Sequence, residues 1–484
     1  MLFVTAKFLL FFLVVYLLYW SLPDRLRLWV LLLSSLVFYA SWSLAFTFHL
    51  LAVVSVNYVV MEVWRRYRIN TLFYVLQILN IANIAFFKYF YFFAEVLGLI
   101  FGISEWREPH LRLAHRMEGT EIFLPLAISF YTFQIMAYGI DIYRGTYATR
   151  HRFREVVLFK AFFPQLIAGP IMRSHELLPQ IKALGEGHGP TATRDWMHKG
   201  LWLVLIGLFK KVVLTAVLLS YVAPLFGSRE TNPAEFHPTA VWLGVFGCLL
   251  MLYTDFSAYT DLARGFGFLL GFEIPVNFKA PFFMVSISDY WRRWHLTFSR
   301  WIRDYVYIPL GGSRVAEWHV YMNYIITFFL AGLWHGASYP YVVWGTMVGI
   351  ILALENFSFK RWLPEWPQHW PLRIVRLLIT WFLFLTSSLF FFAPTLDWAL
   401  SALGQMFHFA ALSGNDSLRQ LGSMEGLVGG GLGVLLFHLL DEKPGWFVWI
   451  RRYEKWLLPL AAVVLVIVIS QFAGQQKDFF YFQF

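Results

Sequence analysis

Apolar residues run along this chain in long uninterrupted stretches, and the charged residues collect in short clusters between them. Residues 28–61 (34 residues), 318–354 (37 residues), 377–396 and 456–476 contain no Asp, Glu, Lys or Arg. Each reaches the roughly 20 residues that carry a helix across about 30 Å of hydrocarbon. The first run is long enough for a hairpin of two short spans bending near ASWS at residues 40–43. The segment from Phe8 to Trp20 reads as the first span and not as a cleaved leader, because only Lys7 precedes it and it runs into Pro23 without a small-residue cleavage site. With the weaker segments counted, about ten to twelve spans are expected. The polar interruptions at 104–121, 184–199, 227–238, 357–374, 412–425 and 441–455 are too short to fold alone. No internal repeat is visible, which weighs against a transporter built from inverted halves. Residues 1–484 therefore read as a single integral-membrane domain of the all-α class.

Composition agrees with this reading: 59% of residues are hydrophobic, 20% aromatic and only 14% charged, against about 25% charged in a soluble domain. The net charge of +10 could suit a nucleic acid, but the basic residues sit between spans, as the positive-inside rule expects, so no nucleic-acid partner is assigned. Arg25 and Arg27 follow the first span, and Arg65, Arg66 and Arg68 follow the third. Both loops are therefore expected in the cytoplasm and the N-terminus outside. The one cysteine, Cys248, excludes an intrachain disulfide and reads as a small apolar residue of a span; no metal site is assigned.

Polar side chains where hydrocarbon should exclude them mark the candidate chemistry. In YTDFSAYTDLARG (253–265), Asp255 and Asp261 read as carboxylates paired with Arg264 or with backbone donors, or as members of a site. The stretch 286–314 opens with Ser286 and Asp289 at capping spacing and closes at Pro309 and Gly311-Gly312, which predicts one helix between. On it Trp291, Trp294, Phe298, Ile302 and Tyr305 recur at three- and four-residue steps, while Arg292, Arg293, Arg300 and Arg303 occupy the other faces. Such a helix is an interfacial anchor, or it holds an anionic donor beside His295. In the third place, His335 lies deep in the uncharged run beside Trp334, with Gly332 and Gly336 permitting close backbone approach or a break in the helix. A neutral imidazole there is an interhelical hydrogen-bonding group or a general base titrating near pH 6.5.

Together these motifs resemble a known family. LPLAISFYTFQ (124–134), FFPQLIAGPI (162–171), YTDFSAYTDLARG, SDYWRRWHLTFSRWIRDYVYIPLGGSR (288–314), LAGLWHGASYPYVVWG (330–345) and the ending FFYFQF (479–484) are similar to the membrane-bound O-acyltransferases, in particular the bacterial branch that O-acetylates alginate. WRRWH and LWHGA, with His295 and His335 forty residues apart, carry most of the specificity. Ala127 stands where family members have glycine.

The resemblance implies spanning, interfacial and re-entrant helices around a central tunnel in the bacterial inner membrane. His335 and His295 would be catalytic, the first activating a hydroxyl and the second orienting the donor or assisting proton transfer. Asp289, Arg292, Arg293, Trp294, Arg303 and Trp334 are the candidate donor- and substrate-binding residues. No bound cofactor is implied; acetyl-CoA would be the acyl donor. The implied partners are a periplasmic SGNH-type acetyltransferase or esterase, polysaccharide export machinery and membrane lipid. The chain has no G-x-S-x-G nucleophile elbow of its own. Competing readings are a D-alanyl or other O-acyltransferase acting on teichoic acid, peptidoglycan, lipid or protein, and a transporter.

Overall fold

A run of apolar side chains with no polar face becomes a helix with lipid on its outside. The computed structural model describes residues 3–103, 124–361, 370–408, 420–442 and 452–471, and these residues form helices joined by turns, with no strand among them. The FFYFQF ending lies outside the described residues. Seven helices are long and apolar enough to cross a bilayer, and Ala6–Ser21 and Lys455–Val468 are apolar but shorter. This is a polytopic membrane protein.

The chain divides into two compact units, one of residues 1–201 and 263–275 and the other of 202–262 and 276–484. The first contains α1 (Ala6–Ser21), α2 (Asp24–Ala40), α3 (Leu44–Tyr67), α4 (Asn70–Phe101), α5 (Ile128–Tyr143), α6 (Phe153–Ala161) and α7 (Ser174–Glu186). The hairpin expected near residues 40–43 is the turn between α2 and α3, and Ser43 caps α3 by accepting from the Phe46 amide at 3.3 Å. Rings of Phe8, Phe38, Phe163 and Phe266 form its core, while Leu9, Leu10, Leu13, Leu17 and Leu18 of α1 are exposed, as side chains meant for lipid. Lipid gives helices no hydrophobic reason to associate, so polar pairs join them. Asn57 of α3 and Asn80 of α4 exchange two 2.9 Å amide bonds.

Ala127 caps α5 in the left-handed region, at φ 60°. A Cβ there costs about 1–2 kcal/mol, so the alanine is strained where glycine would not be. Ala127→Gly is expected to raise the thermal midpoint in detergent, by up to about 1 kcal/mol of stability; a drop would mean that the alanine methyl packs better than the backbone suffers.

The second unit holds most of α8 (Arg194–Phe226) and α9 (Pro238–Leu269), then α10 (Ile287–Trp291), α11 (Leu296–Ile302), α12 (Glu317–His335), α13 (Tyr339–Arg361), α14 (Trp370–Phe392), α15 (Leu396–Met406), α16 (Met424–Glu442) and α17 (Glu454–Gln471). Cys248 is buried in α9. Helices α12 and α13 form a hairpin with a glycine seam. A Cβ on Gly332 would strike the Tyr341 carbonyl oxygen, and one on Gly345 would strike that of Phe328. This backbone-to-backbone approach fixes the C-terminal turn of α12, whose last helical residue is His335, and Gly336 then continues in extended conformation.

Candidate active site

Residues 286–309 do not make the single helix that the pattern predicts. Ser286 caps α10 as expected, its Oγ accepting from the Asp289 amide at 3.1 Å, but the helix stops at Trp291 and a second, α11, begins at Leu296. At the join His295 takes φ 42°. The cause lies in the preceding loop, which intercepts the helical hydrogen bonds. The Leu296 amide donates to the Asn277 carbonyl at 2.9 Å, the Thr297 amide donates to Asn277 Oδ1 at 3.1 Å, and the Arg293 carbonyl accepts from Lys279 at 2.9 Å. A regular helix would have joined Leu296 and Thr297 to Arg292 and Arg293.

Two other helices hold this loop. Glu355 of α13 accepts the Ile287 amide at 2.8 Å and that of Ser288 at 3.4 Å, satisfying donors at the α10 N-terminus. From α16, His438 Nε2 accepts the Phe282 amide at 3.1 Å and Asp441 accepts the Ala280 amide at 3.3 Å. Arg293 bonds Asp289 at 3.1 Å and Glu442 at 2.5 Å. Asp289 and Arg293, candidates for donor binding, therefore sit in an ion-paired brace of this loop.

The loop delivers His295 against the end of α12. Its imidazole is 1% exposed, and His335 is 8% exposed. Two rings stand between them: Trp334 and Phe298 stack at 4.2 Å, Trp334 lies 6.1 Å from His295 and 4.8 Å from His335, and Phe298 lies 5.3 Å from His295 and 6.3 Å from His335. His335 also meets Trp344 and Phe391 edge to face, at 5.1 and 5.0 Å. His295 lies in the join between short helices, outside the spanning ones, and its burial pushes the imidazole down to about 3. It is a neutral ring at physiological pH.

Two cavities adjoin these rings. The smaller, about 30 Å³, is lined by His335, Trp294, Trp344, Phe384 and Phe391 among others. The larger, about 500 Å³, is lined by Arg292, Arg300 and Arg303, with Ser288, Ser299, Tyr307 and Tyr324. Trp291 belongs to both walls, and its indole nitrogen has no hydrogen-bond partner among the described residues. The candidates thus separate: His335 and Trp294 line the small cavity, Arg292 and Arg303 the large one, and His295 and Trp334 pack behind them.

Asp255 and Asp261 lie in neither wall. Lys211 donates to Asp255, and Lys210 to Asp261 at 2.8 Å, both from α8 to α9. Among the described residues no three His, Cys, Asp or Glu side chains gather as a metal-binding group.

Asn277, Trp291 as a shared wall, Glu355 and His438 were not singled out in the sequence. Two had a signal. Glu355 is the first charge after the 37-residue run, and His438 interrupts an uncharged run between Glu425 and Asp441 much as His335 interrupts its own.

Residues 148–394, about half the chain, match the sequence profile of MBOAT, the membrane-bound O-acyltransferase family. The chain is 34% identical over 399 residues to the "Probable alginate O-acetylase AlgI" of Pseudomonas aeruginosa, covering 80% of this chain and 73% of that one. The chain belongs to the membrane-bound O-acyltransferase family. It is also 34% identical over 404 residues to a peptidoglycan O-acetyltransferase of Helicobacter pylori, covering 78% and 73% of the two chains. A teichoic acid D-alanyltransferase of Bacillus subtilis is 27% identical over 256 residues, or 50% of this chain and 62% of that one. This membrane-bound O-acyltransferase is therefore an enzyme, and the transporter reading is set aside.

Proposed function

We propose that this O-acyltransferase moves an acetyl group from acetyl-CoA in the cytoplasm across the inner membrane for O-acetylation of an exported polysaccharide such as alginate. The observation that carries the reading is the shared wall: a large arginine-lined pocket and a small ring-walled cavity at His335, divided by one indole. Arg292, Arg300 and Arg303 suit the phosphates of a coenzyme thioester. The cavity at His335 is small beside the arginine-lined pocket, about 30 Å³ against about 500 Å³, which suits a short acyl group.

His335 takes the proton of the attacking hydroxyl as its oxygen bonds the thioester carbonyl carbon. The carbon–sulfur bond then breaks, and the proton passes to the leaving thiolate. The small dry cavity keeps water from competing for the acyl group. The hydroxyl belongs to the polysaccharide or to a periplasmic SGNH-type partner that completes delivery, working beside the polysaccharide export machinery. The enzyme sits in the inner membrane with its N-terminus in the periplasm, which the arginines after the first and third spans support.

Purified enzyme in proteoliposomes should release free thiol from acetyl-CoA in the presence of acceptor. Arg292→Ala and Arg303→Ala should each raise the acetyl-CoA KM, by roughly tenfold for one lost charge-assisted contact, with kcat nearly unchanged. An unchanged KM would return these arginines to lipid headgroups. Turnover of an acyl carrier thioester alone would replace acetyl-CoA as the donor.

A further inference from the structure

The hydrogen bonds around His295 determine which of its nitrogens carries the proton. Asn277 is fully buried, and its Oδ1 lies 3.1 Å from the Thr297 amide, 2.9 Å from Thr297 Oγ1 and 3.2 Å from His295 Nδ1. A backbone N–H can only donate, so the Asn277 atom it meets is the oxygen, and the amide orientation is fixed. That oxygen can only accept. His295 Nδ1 must therefore carry the hydrogen, which leaves Nε2 with a lone pair and no partner among the described residues.

We propose that Asn277 is a positioning residue that locks His295 as the Nδ1–H tautomer, so that its bare Nε2 can accept a proton and cannot donate one. Such a ring cannot donate to the thioester oxygen through Nε2. Of the two roles the family resemblance allows, this tautomer fits the one that handles a proton. The inference rests on the acyl-transfer reading above.

The choice of an amide at residue 277 supports the assignment. An aspartate would accept the same three bonds and leave no orphaned donor, whereas Asn277 Nδ2 finds no partner among the described residues. What the amide provides is neutrality. Rings of Phe256, Phe278, Phe298 and Trp334 pack around His295, and a carboxylate at residue 277 would stabilise the imidazolium and remove the lone pair. The charged groups on the surrounding elements are engaged with others: Asp255 on α9 with Lys211, Arg293 before the join with Asp289 and Glu442, and Glu317 on α12 with Tyr321, while Arg300 on α11 donates to the Leu296 carbonyl. Arg292 before the join and Arg303 after α11 face the large cavity, Lys279 stands on the Asn277 loop, and His335 lies behind Phe298 and Trp334.

Three measurements test the assignment on the full chain in proteoliposomes. Nitrogen-15 spectra of histidine-labelled protein, with the His295 signals identified by their loss in His295→Gln, should show Nδ1 protonated and Nε2 bare at neutral pH; the opposite tautomer overturns the proposal whether or not acyl transfer occurs. Asn277→Asp should keep the fold and raise the pH at which the His295 ring becomes doubly protonated in the same spectra by about 1–3 units, since a charge partner raises the ring by that much; an unmoved transition overturns it. Asn277→Leu should lower kcat by about 10- to 100-fold, as losses of orienting partners do, with the acetyl-CoA KM retained. Full kcat in that variant overturns the proposal; if it does not fold, the spectra and the aspartate variant still decide. Failure of the wild-type enzyme to transfer acetyl at all would count against the proposed function and leave the tautomer result standing.

Discussion

His335→Ala is expected to reduce acetyl transfer by about 100- to 10,000-fold, the range for loss of a positioned general base. The prediction follows from where the ring lies. It ends α12, the glycine seam with α13 holds that end in place, and its neighbours are the aromatic walls of a small cavity. His335→Gln keeps most of the volume and a hydrogen-bonding group but cannot take up a proton, so it should fall nearly as far. Thiol release and acceptor acetylation in proteoliposomes, with thermal unfolding to show an intact fold, make the comparison. A folded alanine variant that keeps most of its rate would remove His335 from the chemistry.

The second large effect concerns stability. Asp255 is 1% exposed in the middle of α9 and takes a proton donor from Lys211 of α8. Removing one partner leaves a charge buried without its counter-charge, at about 3–5 kcal/mol, whereas replacing both with apolar groups of similar size is often neutral. Lys211→Met and Asp255→Leu should each cut the yield of folded protein sharply and lower its midpoint in detergent. The double variant should recover most of the loss and retain acetyl transfer. A stable double variant without activity would instead give Asp255 a part in the reaction.

Elements set by local chemistry were legible in the sequence. The ASWS bend and the Ser286 cap are each fixed by residues within a turn of themselves, and the break at Gly336 was allowed by its glycine, although the seam with α13 sets it. The break at His295 was not, because it is made by Asn277, eighteen residues earlier, taking two amides from what would have been one helix. The two buried histidines show the same limit. His335 and His438 carry the same signal, an imidazole in an uncharged run, yet His335 lines a cavity while His438 accepts a backbone amide and stacks on Phe282 at 5.4 Å. The family motif singles out His335; polarity in an apolar run does not separate the two. The arginines divide likewise, since only their partners show that Arg293 braces the loop and Arg292 lines a pocket.

The small size of the cavity at His335 also has an electrical consequence. A bacterial membrane holds a voltage, and each unit charge that crosses 100 mV dissipates about 2.3 kcal/mol. A small space walled by aromatic rings offers few groups to replace the hydration shell of a cation. A small neutral group enters such a space more readily than a hydrated ion. Rings that narrow the space at His335 also leave little room for a hydrated ion, and trimming Phe391 or Trp344 is expected to raise ion leakage through the enzyme in proteoliposomes.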